Sequence, residues 1–400
     1  MARRIAIPSK HVQLKLVGSR DALVIPRVQR LTITADRPST DIDELGNRLH
    51  AGTVEDVPQI TATFQAMDVG MKVLGILTGT DAAAWPASGV SITDIGEVDL
   101  IAHIRDYTAN DYVKMAHARR CTVRDFSFNY SVEGESTEEY TIIGTQKRWF
   151  KNDVVAIKYT SGGTGPLDLV ETPANLKNGD ECISVIVDGV YFDRVPSTPD
   201  PGEYSVSTDE LTLGTALVDQ CIAIFQSALS TDVWTDVSDD TMPAAIRGLD
   251  VPVKLLANSI ARVQSVTLNG TFNPETVREM GNRDVVGYQL QVPSVTGTIT
   301  VLDTDTELVS LFATGELAPT GITEFQASEY TASGITLDVF LQDPADKVEP
   351  FEILKTVYVP GLVVTSDGFT SNINANAQQT FDIKSEDGNI IVYSGIRPGS

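Results

Sequence analysis

"RVQRLTIT", Arg27 to Thr34, alternates in the manner of a strand: Leu31 and Ile33 lie on one side, Arg30, Thr32 and Thr34 on the other. Its opening returns as "RVQSVTL", Arg262 to Leu268, 235 positions later. The neighbours keep the same offset. "ELGNR" (Glu44, Leu45, Gly46, Asn47, Arg48) meets "EMGNR" (Glu279, Met280, Gly281, Asn282, Arg283). Gly52 meets Gly287, Val57-Pro58 meets Val292-Pro293, and Thr61, Thr63 and Asp68 meet Thr296, Thr298 and Asp303. From Arg27 to Thr78 there are 14 identities in 52 ungapped positions. Upstream, "VQLKL" (Val12 to Leu16) matches "VPVKL" (Val251 to Leu255). A period this long does not build a solenoid; it marks a duplicated domain.

The strand pattern extends beyond the opening stretch. "VPQITATFQAM" sets Ile60, Ala62 and Phe64 against Gln59, Thr61, Thr63 and Gln65. Its echo sets Val295 and Ile299 against Ser294, Thr296, Thr298 and Thr300. Alternation of this kind describes a sheet with one packed and one wet face. The wet face in both copies is small and hydroxyl-rich: Thr32, Thr34, Gln59, Thr61, Thr63, Thr267, Ser294, Thr296, Thr298. A short helix is expected next. In the second copy Thr304 and Glu307 have capping-box spacing, Leu308, Leu311 and Phe312 share a face, and Gly315 can end the helix. In the first copy Asp68 precedes Val73, Leu74 and Leu77, then Gly79. Further strands pair "EVDLIAHIRD" with "ITLDVFLQD", and "DFSFNYSVEGESTEEYTIIG" with "NINANAQQTFDIKS". Between the early strands lies a polar stretch without clear period, Arg37 to Asp56, kept at equal length in the second copy. Equal length implies a shared packing role.

Residues 151–245 have no partner in the repeat. "CISVIVDGVYF" carries Asp188-Gly189 as a hairpin turn, and short strands between turn residues imply a small immunoglobulin-like β-sandwich. The fold class expected is therefore mainly β: repeat one over 1–150, an inserted β-sandwich with its linker over 151–245, and repeat two over 246–400.

Composition narrows function. The net charge is −24, which repels nucleic-acid phosphates and argues against sequence-reading DNA contact. Lysine is scarce, which fits a halophilic source. No run approaches the roughly 18 apolar residues of a membrane span. "MARRIAIPSK" lacks the apolar core of a secretion signal, so Sec export is not expected. Three cysteines are too few for a disulfide framework; Cys182 and Cys221 sit in apolar runs where they could face each other, and buried free thiols are expected. The four histidines (His11, His50, His103, His117) all lie in repeat one without metal spacing. "SGGTG" (Ser161 to Gly165) lacks the Lys of a phosphate loop, "DTDTE" (Asp303 to Glu307) lacks an EF-hand's glycine, and "DIDE" (Asp41 to Glu44) reads as a solvated loop. No catalytic, cofactor or metal site is assigned.

In order, "VQLKL…RVQRLTIT", "ELGNR", "VPQITATF", the short helix and the "DFSFNYSVEG" hairpin resemble the tail tube proteins of tailed phages and archaeal viruses; "PAAIRGLDVPVKLL…ARVQSVTL" resembles the same opening again. The resemblance covers both repeats. It implies a structural virion protein, assembled in the host cytoplasm, whose rings stack into a hollow tube that conducts viral DNA. Relatives with a duplicated domain form trimers with pseudo-sixfold symmetry. Its partners would be further copies of itself, the tape measure, terminator and baseplate proteins, and DNA in transit. By position, the loops centred on Glu44–Arg48 and Glu279–Arg283 would reach a neighbouring ring or subunit, and the hydroxyl-rich residues above would line the lumen. The middle domain would decorate the outside. Two other readings stand beside this one: a baseplate or adhesion protein with a glycan-binding middle domain, and an acidic hydrolase with a dispersed active site.

Overall fold

A computed structural model describes residues 12–43, 45, 50, 52–67, 70–80, 89–106, 111–151, 153–159, 167–168, 182–207, 210–218, 220–227, 245–282, 284–302, 306–316, 324–326, 330, 334–346, 350–371 and 376–400. The chain is mainly β, with two short α-helices among the described residues. Its first part runs β1 (Val12–Val17), β2 (Ala22–Val24), β3 (Val28–Asp36), β4 (Ser39–Ile42), β5 (Gly52–Glu55), β6 (Gln59–Ala66), α1 (Lys72–Leu77), β7 (Val90–Ser91), β8 (Val98–Asp106), β9 (Asp111–Ser131), β10 (Thr137–Gly144) and β11 (Gln146–Phe150). The middle holds β12 (Asp153–Tyr159), β13 (Leu167–Asp168), β14 (Cys182–Val187), β15 (Val190–Arg194), β16 (Glu203–Val206), β17 (Glu210–Leu213) and β18 (Cys221–Ser227). The last part runs β19 (Val253–Leu255), β20 (Asn258–Ser259), β21 (Val263–Thr271), β22 (Glu275–Val277), β23 (Gly287–Gln289), β24 (Ser294–Val301), α2 (Glu307–Thr314), β25 (Ile335–Gln342), β26 (Ile353–Thr370), β27 (Gln378–Ser385) and β28 (Ile391–Ser394).

The "RVQ" echo has a physical cause. Arg27 and Arg262 both adopt positive φ (57° and 61°), which sets a bulge at the start of β3 and of β21. Gln29 Nε2 then donates to the Arg27 carbonyl, and Gln264 Nε2 to the Arg262 carbonyl. The same carbonyls accept from Met67 N and Leu302 N, pinning the next strand. A left-handed arginine costs energy, so both copies surround it with bonds that hold it there.

Ladder registers also recur. Thr32 faces Thr63 as Thr267 faces Thr298. At an offset of 241, which relates Tyr140 to Phe381, β9 and β10 correspond to β26 and β27. Even the bulge matches: the β10–β9 register shifts between Thr141 and Ile142, the β27–β26 register between Asp382 and Ile383. The long strands β9 and β26 each serve two sheets. The first half of β9 pairs β8 and β11, and its second half pairs β10; β26 behaves likewise with β25, β28 and β27. The change of direction falls at Arg120 (φ 46°) and at its counterpart Gly361 (φ 56°). The sequence pattern aligns only the "NINANAQQTFDIKS" strand with this hairpin; the structure adds β26 as the counterpart of β9.

Between the two layers of each part lies one shared core. It includes Leu14, Leu16, Phe64, Leu74, Phe128 and Tyr140 in the first part, and Leu255, Leu268, Leu311, Phe312, Leu337 and Phe381 in the last. Burying each large side chain contributes about 1.5–3 kcal/mol. The helices seal these cores through Val73, Leu74, Ile76 and Leu77, and through Leu308, Leu311 and Phe312. Gly315 ends α2 in the left-handed conformation (φ 79°), as read from sequence. The capping box is not realised: the N-cap is Thr306, without a side-chain cap, and Glu307 is already helical. Asp68, Asp303 and Thr304 lie outside the described residues.

The middle part is a single seven-stranded sheet, β12-β18-β14-β15-β16-β17-β13, which curls so that Val185, Phe192, Tyr204, Leu211 and Phe225 share a core. One of its pairings, β15 with β16, is parallel. Asp188 (φ 47°) and Gly189 (φ 88°) make the expected turn. The run "CISVIV" is buried throughout because both its faces are covered: Ile183 and Ile186 pack with Val17, Ile101 and Met115 of the first part. Cys121, Cys182 and Cys221 are buried free thiols.

Candidate assembly edges and open face

The open face grows directly from the ladders. Thr32 and Thr63, Thr34 and Thr61, and Asp36 and Gln59 are cross-strand pairs; so are Thr267 and Thr298, Asn269 and Thr296, and Thr271 and Ser294. Every hydroxyl-rich residue singled out above therefore lies on one face, opposite the buried Ala62, Phe64, Leu268 and Ile299. Hydroxyls bridge neighbouring strands: Thr63 Oγ1 lies 3.4 Å from Thr141 Oγ1, and Thr298 Oγ1 donates to Asp382 at 3.0 Å. Strands β9, β10 and β27 add Asp125, Glu139, Asp382 and Lys384 to this face, which sequence reading had not placed there.

The decisive join is between the two ends of the chain. β9 pairs β21 antiparallel, with Asn129 opposite Thr267, Phe128 opposite Leu268, Ser127 opposite Asn269 and Phe126 opposite Gly270. Eight strands thus run in one order: β3-β6-β10-β9-β21-β24-β27-β26. No strand among the described residues covers the outer edge of β3 or the outer edge of the second half of β26. Burial marks these edges. Phe128, inside the join, is 1% exposed, whereas its counterpart Phe369 is 70% exposed. Leu268 and Val266 are fully buried, whereas their counterparts Ile33 and Leu31 are only partly so. Sequence reading missed Phe369; the available signal was a lone aromatic in the polar run "TSDGFT".

The equal-length stretch read as aperiodic is in each copy a two-stranded arm. β4 pairs β5 with Asp41 opposite Thr53, and β22 pairs β23 with Thr276 opposite Tyr288, at the same offset. Between the two strands of each arm, Leu45 and Met280 of the repeated pentapeptides are fully exposed, and Gly281 has φ 88°. Glu44, Gly46, Asn47, Arg48 and Arg283 lie outside the described residues. The second arm rests on the first part of the chain. Arg278 pairs with Asp56 (3.0 Å), Gln146 donates to Asp284 (2.9 Å), and Arg120 donates to the Val286 carbonyl (2.9 Å).

The buried polar groups read as struts. Asp99, fully buried, accepts from His117 Nε2 (2.9 Å), Arg120 N–H (2.8 Å) and the Tyr191 hydroxyl (2.7 Å), tying the middle part to the first. Burial would raise its pKa, but the charge at His117 and these hydrogen bonds outweigh that and hold the carboxyl below its usual range. A buried ion pair, Glu138–Lys355, links β10 to β26, with the Tyr140 hydroxyl also donating to Glu138. His50 lies against Asp43 (2.6 Å) on the exposed first arm. His11, all of "SGGTG" and most of "DTDTE" fall outside the described residues, among which no group of metal ligands gathers. No helix of the described residues is long and apolar enough to cross a membrane. No protein-family model matches the chain, and no curated protein matches it.

Proposed function

We propose that this chain is a structural subunit of a hollow tube of the viral tail-tube kind, with no catalytic role. The observation that carries the reading is the β9–β21 join. Its two edges have counterparts in β26 and β3, and no strand among the described residues covers those counterparts. Transferring the register sets Thr370 of one copy opposite Thr32 of the next, Phe369 opposite Ile33, Gly368 opposite Thr34 and Asp367 opposite Ala35. Pairing in this way covers two exposed edges and buries Phe369, which removes the hazard an open edge presents. Repeated round a trimer, it closes a barrel made of six similar four-strand units. The face of Thr, Ser, Asn and Gln, on which Arg30 and Lys384 are outnumbered by Asp125, Glu139 and Asp382, then lines the lumen, where it offers DNA phosphates little cationic grip and the acidic protein field keeps them moving. The middle sheet packs on the opposite layer, through Ile101 and Met115, so it lies outside the tube. The arms, with Leu45 and Met280 at their tips, make the contacts between stacked rings.

The test is a cross-link in the transferred register. The double variant Thr32→Cys with Thr370→Cys should oxidise into covalent trimers, seen as a ladder ending at three chains on non-reducing gels and as rings in negative stain. Pairing Thr32→Cys with Ser366→Cys, four residues out of register, should not. Absence of the first cross-link in concentrated protein, or equal cross-linking by both variants, overturns the reading.

A further inference from the structure

The join inside the chain and the join between copies use different chemistry. Inside the chain, Phe126 lies over Gly270 and packs against Phe272 with ring centroids 6.0 Å apart. Val295, Ile390 and Val392 belong to the same buried cluster. The counterparts of Gly270, Phe272, Val295, Ile390 and Val392 are Ala35, Arg37, Ile60, Lys147 and Trp149. These line a cavity of about 420 Å³ beside the free edge of β3. The place that holds an apolar plug in the second half is open in the first, where Arg37 and Lys147 line it and Asp284, on the same wall, accepts from Gln146. The counterpart of the plug, Phe126, is Asp367, an exposed acid on the free edge of β26 whose carboxylate accepts from Tyr330.

We propose that Asp367 of one copy enters this cavity on the next copy and is clamped there by Arg37, with Lys147 alongside, so that an ionic latch closes the ring where an aromatic plug closes the chain. The proposal rests on the tube reading above and names the residues that hold its joint. Charge complementarity argues for it. Among the described residues Arg37 makes no ion pair, and Lys147 donates only to the Ile33 carbonyl (2.9 Å) while lying over Trp149. The buried pair Glu138–Lys355 of the inner join becomes Gln379 and Lys114 at the outer one, so that joint also loses its buried acid. Lys355 lies over Phe128 at 5.9 Å, and the transferred equivalent brings Lys114 over Phe369. The outer joint is thus the weaker and more salt-sensitive of the two. The chain folds with its inner joint made and meets its neighbours through a reversible one.

Charge reversal tests the latch. Sedimentation velocity at low salt would give the concentration for half-assembly of wild type, Arg37→Asp, Asp367→Arg and the double reversal. Each single reversal should raise it about tenfold or more, and the double reversal should bring it back to within about threefold of wild type. Asp367→Asn, nearly isosteric, should weaken assembly without altering the melting curve. Asp367→Phe, which restores the inner chemistry, should make assembly insensitive to salt between about 0.05 and 1 M. Single reversals that assemble like wild type, or a double reversal no better than the singles, overturn the latch. If the register cross-link still forms in that case, the edge pairing stands and only the latch falls; if wild type itself neither assembles nor cross-links, both fall.

Discussion

Phe126 lies across Gly270 so closely that a Cβ at Gly270 would overlap the ring. The two residues sit opposite each other in the β9–β21 ladder, at the point where the two ends of the chain become one sheet. Gly270 is therefore required for space, since its φ is not positive. Gly270→Ala should destabilise the chain by about 1–3 kcal/mol through overpacking. Urea unfolding checks this; a loss under about 0.5 kcal/mol would show that the join opens to accept the methyl.

Glu138 and Lys355 form a buried ion pair between the two ends, exposed to only 2% and 1%. Glu138→Gln leaves the ammonium without that counter-charge inside the protein and should cost about 3–5 kcal/mol. Replacing both, Glu138→Leu with Lys355→Met, should cost less than the single change. A double variant as unstable as Glu138→Gln would mean that other contacts of Lys355, not the pair, set the cost.

Asp99 predicts a dependence on acid. Its folded pKa lies below the ordinary aspartate value of about 3.9, so its contribution is present above that value and is lost as pH falls through the folded pKa. Asp99→Asn should be markedly less stable than wild type at pH 7, and the gap should narrow steadily below about pH 4. Parallel stability curves across that range would rule the strut out as the titrating group.

The three thiols should be silent in the folded chain. Burial pushes the Cys182 thiol up to about 12 and moves Cys121 and Cys221 upward as well. A thiol reagent at pH 8 should label none of them until denaturant is added, and then all three. Fast labelling of any one in native buffer would contradict its burial.

In the proposed tube the arm tips bear on stacking alone. Leu45→Glu with Met280→Glu changes two fully exposed side chains, so stability should stay within about 0.5 kcal/mol of wild type. Electron microscopy should show single rings in place of tubes. Long tubes from this variant would remove the arms from the contact between rings.

Much of this architecture was legible in the chain because its physics is local. Alternation placed Thr32, Thr61 and Thr298 on one face, and the faces hold because a period of two leaves little choice once one side is packed. The "RVQ" echo marked a bulge whose parts lie within three residues. What escaped were long-range pairings. Nothing in "DFSFNY" announces that β9 borders β21, nor does "VVTSDGFT" announce an uncovered edge, since a strand's neighbours are chosen by tertiary packing. The arms escaped for a related reason: β4 is exposed along its whole length, so no apolar period marks it. The middle sheet's double burial was legible as the continuous run "CISVIV", but its partner, the layer containing Ile101 and Met115, was not.

The two uncovered edges are unlike each other, and that fixes the polarity of anything built through them. β3 follows a left-handed arginine and presents Leu31 and Ile33, while β26 presents Asp367 and Phe369. A joint of one to the other is heterologous, so it cannot yield a twofold pair and always leaves one edge of each kind at the ends of an open row. Growth through such a joint stops only when the row's own curvature brings its head to its tail. In the proposed ring the size of the closed object is therefore written in the bend of each joint, and the β9–β21 join is the one each chain already holds.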